Sequence, residues 1–171
     1  ALPAMRWLSE QTGEAAHLGV MSGEEGVVLE RVIGTAPIKF YVERGVRFPL
    51  HTSGPGKVML AYRDAAERDR TIAGMKFTRF QPHTITNAKA LLACLQVVRR
   101  QGWATDMGEH LEGHNCVAAP IFDAEGEAIA SLWITGTSQR LDAERIAKLT
   151  HVVTKAAKMA SEALHPKSAL R

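Results

Sequence analysis

Cysteine is scarce: the 171 residues hold two, Cys94 and Cys116, far apart in the chain. Two distant thiols argue against a disulfide-stapled scaffold and suit a reducing compartment. No apolar run approaches the ~20 residues a membrane-crossing helix needs. The first eleven residues lack the basic start and unbroken apolar stretch of a secretory leader. Charge of one sign never accumulates, because 21 Lys and Arg are scattered among 18 Asp and Glu for a net +3. Dispersed charge of this kind gives no argument for nucleic-acid binding. Low-complexity stretches, repeats and long linkers are also missing, as is an initiator methionine. The last absence suggests a processed or excised piece of a longer protein.

What remains is ordinary globular material. Hydrophobic residues make up 46% and charged residues 23%, which excludes a wholly disordered chain. The length suits about one domain, large enough to bury a core without staples.

The patterning predicts strands at both ends and helices between. Leu2 to Gln11 reads as a short helix. Short β-branched runs at 16–21 and 27–33 flank Gly23-Glu24-Glu25-Gly26, a hairpin signal, and Ile38 to Val42 reads as a third strand. Ser53-Gly54-Pro55 opens a helix through Tyr62, with proline in the first turn. A second short helix covers Asp64 to Ala73. Asn87 to Gln101 is a stronger one, capped by Thr86 or Asn87 and ended by Gly102. Strands follow at 103–107, 115–122 and 128–135, the last two joined by the turn Asp123 to Gly126. A long amphipathic helix runs from about Leu141 to Leu164 and stops near Pro166. This order predicts an α+β fold on a mostly antiparallel sheet.

Candidates for chemistry are few. Gly54-Pro55-Gly56-Lys57 lacks the spacing of a nucleotide-binding loop, since Val58 follows the lysine. As a helix start it still presents backbone N–H groups suited to an anion. The densest polar stretch runs from Asp106 through His110 and His114 to Cys116. With His51 it could make a metal site or a small enzyme centre, although its spacing matches no common zinc motif. A solvated loop entering a strand is the plainer reading. Cys94, in the run Leu91 to Leu95, and Cys116, before Val117-Ala118-Ala119, read as buried thiols.

Three separated segments carry a resemblance. Gly45-Val46-Arg47-Phe48-Pro49-Leu50-His51-Thr52-Ser53-Gly54-Pro55-Gly56-Lys57 resembles the start of the ligand pocket in IclR-type transcriptional regulators. Gly102-Trp103-Ala104-Thr105-Asp106, followed by Glu109, Gly113 and Cys116, resembles a second part of those proteins. The run from Val117 to Gly126, continuing to Ile134-Thr135-Gly136, resembles a third. The resemblance is to the C-terminal effector-binding domain, and implies a GAF-like curved antiparallel sheet flanked by helices. Residues 1–12 would be a linker or first helix and 13–171 the effector domain, with the N-terminal winged helix-turn-helix domain absent from this chain.

The resemblance further implies a cytoplasmic sensor that is not an enzyme and carries no cofactor. It would bind a small organic acid, assemble as a homodimer or homotetramer, and touch DNA only through the missing domain. Carried over by position, Gly54 and Pro55 match the helix start whose amides hold the effector's carboxylate. Asp106 and Cys116 match polar pocket positions, and Phe40 and Phe48 match apolar walls. Trp133 and Thr135 match two small hydroxyl positions of the last strand. A hydroxyl from Ser53 or Thr135, or the imidazole of His51, would help bind the acid. Two departures stand out: Pro55 has no N–H to give, and Trp133 replaces a small polar residue, which narrows the pocket or offers an aromatic face.

Overall fold

The computed structural model describes residues 1–164. Eleven elements follow one another: α1 (Leu2–Thr12), β1 (Ala15–Ser22), β2 (Glu25–Val32), β3 (Arg47–Pro49), α2 (Gly54–Tyr62), α3 (Ala65–Gly74), α4 (Ala88–Gln101), β4 (Ala104–Met107), β5 (His114–Phe122), β6 (Ala128–Thr137) and α5 (Ala143–Leu164). The strands form one six-stranded sheet in the order β3-β2-β1-β6-β5-β4. Every neighbouring pair is antiparallel. The central β1–β6 pairing joins the first strand to the last and so ties the two hairpin groups into one sheet.

Local chemistry sets the element ends. The Ser53 hydroxyl accepts from the Gly56 amide at 3.2 Å and starts α2. Asp64 accepts from the amides of Ala66 and Glu67 at the head of α3. Asn87 accepts from the Ala90 amide at 2.9 Å to cap α4, and Gly102, with φ +84°, closes that helix in the left-handed conformation.

Strand alternation sends side chains to two faces, each covered by helices. On one face Ala16, Val117, Ile121, Leu132 and Ile134 pack with Met5 and Leu8 of α1 and Val153, Ala156 and Ala160 of α5. On the other, Val28, Ala104, Cys116, Ala118 and Trp133 meet Val58 and Leu60 of α2 and Leu91, Leu95 and Val98 of α4. A half-buried ion pair links the turn before β1 to the turn after β6. Arg140 donates from Nε and Nη2 to the two carboxylate oxygens of Glu14 at 2.6 and 2.8 Å.

Three expectations need correction. The third strand is Arg47–Pro49, not Ile38 to Val42. The edge of β2 is taken by residues 47–49, and Val28 exchanges backbone hydrogen bonds with Gly45 and Val46. Residues 33–46 therefore form an irregular strap held partly by backbone bonds, such as those of Thr35 and Ala36 to the Gly13 carbonyl, and partly by side chains. The Ile38 carbonyl accepts from Arg140 at 2.9 Å, and the Val42 amide donates to His17 Nε2 at 3.0 Å. Cys94 is half-buried rather than core. The long helix begins at Ala143, because Asp142 serves as its cap by accepting from the Arg145 amide. The expected stop near Pro166 lies outside the described residues. Among the described residues no helix is long and apolar enough to cross a membrane.

Candidate functional site

Cross-strand register places the polar candidates in two adjacent rows on the sheet face that α2 covers. The first row runs Ala15, Thr135, Cys116, Asp106 across β1, β6, β5 and β4. The second runs His17, Trp133, Ala118, Ala104 across the same strands. Residues far apart in sequence thus become neighbours through strand pairing alone.

Two glycines make room for the aromatic groups. A Cβ at Gly19 would sit 2.9 Å from the Trp133 ring, and one at Gly26 would overlap the ring of Phe48. Trp133 lies over the first and Phe48 over the second, meeting edge to face with centroids 5.7 Å apart. His17 stacks on Trp133 at 5.3 Å and 15°. Phe40 reaches in from the strap to lie 5.0 Å from the His114 ring.

The polar groups are only partly paired. Asp106 Oδ1 accepts from the Glu109 amide at 2.6 Å, and its Oδ2 lies 3.6 Å from His114 Nδ1. The Thr135 hydroxyl meets His114 Nε2 in a close hydrogen bond. The Nδ1 atoms of His17 and His114 and the hydroxyl of Thr52 are buried without a hydrogen-bond partner. Burial, helped by the charges of His114 and Arg31, pushes His17 down to about 3, so its imidazole is neutral.

The head of α2 stands over β5. A Cβ at Gly54 would come within 2.9 Å of Cys116 Sγ and 3.4 Å of Ala118 Cβ, so glycine is required for this approach. The first-turn amides are largely spoken for. Pro55 has none, Gly56 donates to the Ser53 hydroxyl, and Lys57 donates to the Ser53 carbonyl. The Gly54 amide faces the Cys116 sulfur. Burial, with Asp106 adding to it, pushes the Cys116 thiol up to about 12, so this cysteine is an inert wall and not a nucleophile.

Other candidates are placed differently. Ser53 Oγ also donates to the Pro49 carbonyl at 2.8 Å, so both its functions go to the turn before α2. His51 turns to the segment after α3, with Nε2 at 3.1 Å from the Thr78 carbonyl and its ring against Phe77 and Phe80. Lys57 forms a buried ion pair with Glu109 and donates to the Thr105 carbonyl at 3.0 Å. It therefore ties α2 to β4 and the loop beyond it instead of facing an anion. Among the described residues no group of three His, Cys, Asp or Glu could hold a metal ion. Neither His17 nor Thr52 stands out in the sequence. The one signal for His17 is an imidazole at an inward position between Ala15 and Gly19.

This sheet face thus carries aromatic rings and buried polar atoms without partners, beside the strap and the start of α2. Over residues 1–162 the chain matches the family model described as Bacterial transcriptional regulator IclR C-terminal, and it belongs to that family. It is 34% identical over 164 residues to the HTH-type transcriptional regulator XynR of Escherichia coli, covering 94% of this chain and 65% of XynR. The solved C-terminal domain of the E. coli regulator KdgR superposes with a TM-score of 0.84 at 34% identity, covering 95% of this chain and 94% of that one. The same fold appears in the inducer-binding domain of the PobR transcription factor from Acinetobacter, a double mutant in complex with 3-hydroxybenzoic acid. That match has a TM-score of 0.84 at 24% identity and covers 93% of this chain and 94% of the other. The curved α+β sheet is thus the GAF-like one the resemblance implied. The relatives are transcriptional regulators, not enzymes, and a metal centre or enzyme site built on the His51, Asp106, His110, His114 and Cys116 cluster finds no support.

Proposed function

We propose that this chain is the effector-sensing and oligomerising part of a cytoplasmic IclR-type regulator, and that its effector is a small organic acid bound on the Trp133 face. The observation that carries this reading is the pair of buried, unpartnered Nδ1 atoms of His17 and His114 beside the rings of Trp133 and Phe40. Such atoms cost free energy until a ligand or water supplies a partner. The acid's carboxylate would lie at the head of α2, where the helix dipole favours an anion. Phe40, Phe48 and Trp133 would flank a flat or apolar body, and Asp106 would accept from a ligand hydroxyl. A domain of the same fold, that of PobR, is seen with a hydroxylated benzoic acid, and a ligand of that kind would suit these walls.

The chain spans about 60–65% of the length of XynR and KdgR. DNA contact would belong to an N-terminal winged helix-turn-helix domain, and residues 13–171 would form the effector unit of a homodimer or homotetramer. Binding the effector would shift the population of domain arrangements by its differential affinity, and with it DNA affinity. Thermal denaturation of the chain with a panel of organic acids tests the reading. An effector at 100 times its Kd stabilises the fold by about 2.7 kcal/mol. Trp133→Ser and Thr135→Val should each change that shift. A panel without any stabilising acid, or unaltered affinity in both variants, overturns the assignment.

A further inference from the structure

The Val42 amide donates to His17 Nε2 at 3.0 Å. A backbone N–H can only meet a nitrogen lone pair, so Nε2 carries no proton. The neutral ring must then hold its hydrogen on Nδ1, the atom that is buried and has no partner. His17 is fully enclosed, stacked on Trp133, and close enough to feel the charge of His114. The fold thus maintains a fixed, oriented and unsatisfied donor on the very face read above as the effector site.

We propose that His17 is a specificity-determining residue that donates its Nδ1–H to an oxygen of the effector other than its carboxylate. The inference rests on the Trp133 face being the effector site. The effector class follows from the placement of the two anchors. The head of α2 stands over β5, whereas His17 lies on β1, two strands away across β6, or about 10 Å between backbones. A molecule that engages both anchors spans β5, β6 and β1. The matching molecule carries a carboxylate at one end and a carbonyl or hydroxyl oxygen at the other, separated by a body that lies along Trp133. With Pro55 lacking an amide and the Gly56 amide turned to Ser53, the second anchor also compensates for a weakened first one. Because the same imidazole accepts from Val42, the ligand oxygen and the strap at residues 33–46 become joined through one ring.

The test uses paired acids that differ in one acceptor: levulinate against pentanoate, and para-acetylbenzoate against para-ethylbenzoate. On the unaltered chain the oxygen-bearing member of at least one pair should bind on the order of tenfold more tightly, the usual worth of a buried hydrogen bond. His17→Gln places an acceptor near the Nε2 position but no donor near Nδ1, and should erase that preference, so that the two members of each pair bind alike. His17→Asn keeps an N–H near Nδ1 and should retain part of the preference. Imidazole nitrogen NMR of the unaltered chain should show the proton on Nδ1 and a shift of that nitrogen when the preferred acid is added. If some acids stabilise the chain but neither pair shows a preference, or His17→Gln keeps it, or the nitrogen does not move, the role of His17 is wrong and the site stands. If no acid binds at all, the site reading falls and takes this inference with it.

Discussion

Cys116 shows how a side chain that looks reactive in sequence becomes structural in place. Its sulfur is pressed between the Gly54 backbone and the Asp106 strand, and burial raises it to about 12. Cys94 is half-buried and also raised by desolvation, less severely. Thiol reagents attack the thiolate, so the native protein should react slowly at Cys94 alone, and Cys116 only after unfolding. Two thiols titrating together at neutral pH without denaturant would contradict this. The Glu14–Arg140 pair makes a second case. Glu14 is buried, and its two oxygens are both taken by the guanidinium, which also holds the Ile38 carbonyl of the strap. Arg140→Met would strand that carboxylate and should lower stability by about 3–5 kcal/mol in urea unfolding. A loss below about 1 kcal/mol would mean that water reaches Glu14.

Elements show why some of this architecture could be read from sequence and some could not. The helix at 88–101 was legible because its signals are local: Asn87 caps it, Leu91, Leu95 and Val98 recur on one face, and Gly102 ends it. Asn87→Ala should cost about 1 kcal/mol, read as a lowered urea midpoint with unchanged slope. The hairpins were legible for the same reason. The strap was not, because Ile38 to Val42 is β-branched and aromatic enough to pass for a strand. Its partners, Arg140 and His17, lie 102 and 25 residues away, and no local pattern announces a backbone amide that pairs with an imidazole. The candidate site was half legible. Family motifs mark Gly54, Asp106 and Cys116, but His17 reaches Trp133 only through strand register. Of the glycines beneath the aromatic rings, Gly19 read as a plain strand residue and Gly26 as part of the hairpin turn. Gly26→Ala would push a methyl into the Phe48 ring and should destabilise the fold by about 1–3 kcal/mol, with Phe48 displaced from Trp133. A Gly26→Ala variant as stable as the parent would show that Phe48 has room to retreat.

For the molecule as a whole, three buried or half-buried histidines set the response to acid. Burial lowers His17 to about 3 and lowers His51 and His110 in the same direction. Unfolding releases each to an ordinary value near 6.5, so the unfolded chain binds more protons than the native one. Their contribution to stability is complete above that value and is lost as the pH falls through it. For His17 the loss continues down toward its folded value, at about 1.4 kcal/mol per pH unit. Glu109 opposes the trend, because burial raises its carboxyl and native protonation gains stability as acid is added. That gain begins above the ordinary carboxylate value and offsets part of the histidine loss. From about pH 7.5 to about pH 5.5 the unfolding free energy should therefore fall, by about 1.4 kcal/mol from His17 alone. His17→Asn removes this titration while keeping a polar group in its place, so its stability should decline less steeply over the same interval. Equal slopes for the variant and the parent would mean that His17 is reached by water and titrates normally. The neutral imidazole on which the site's chemistry depends would then be lost on mild acidification.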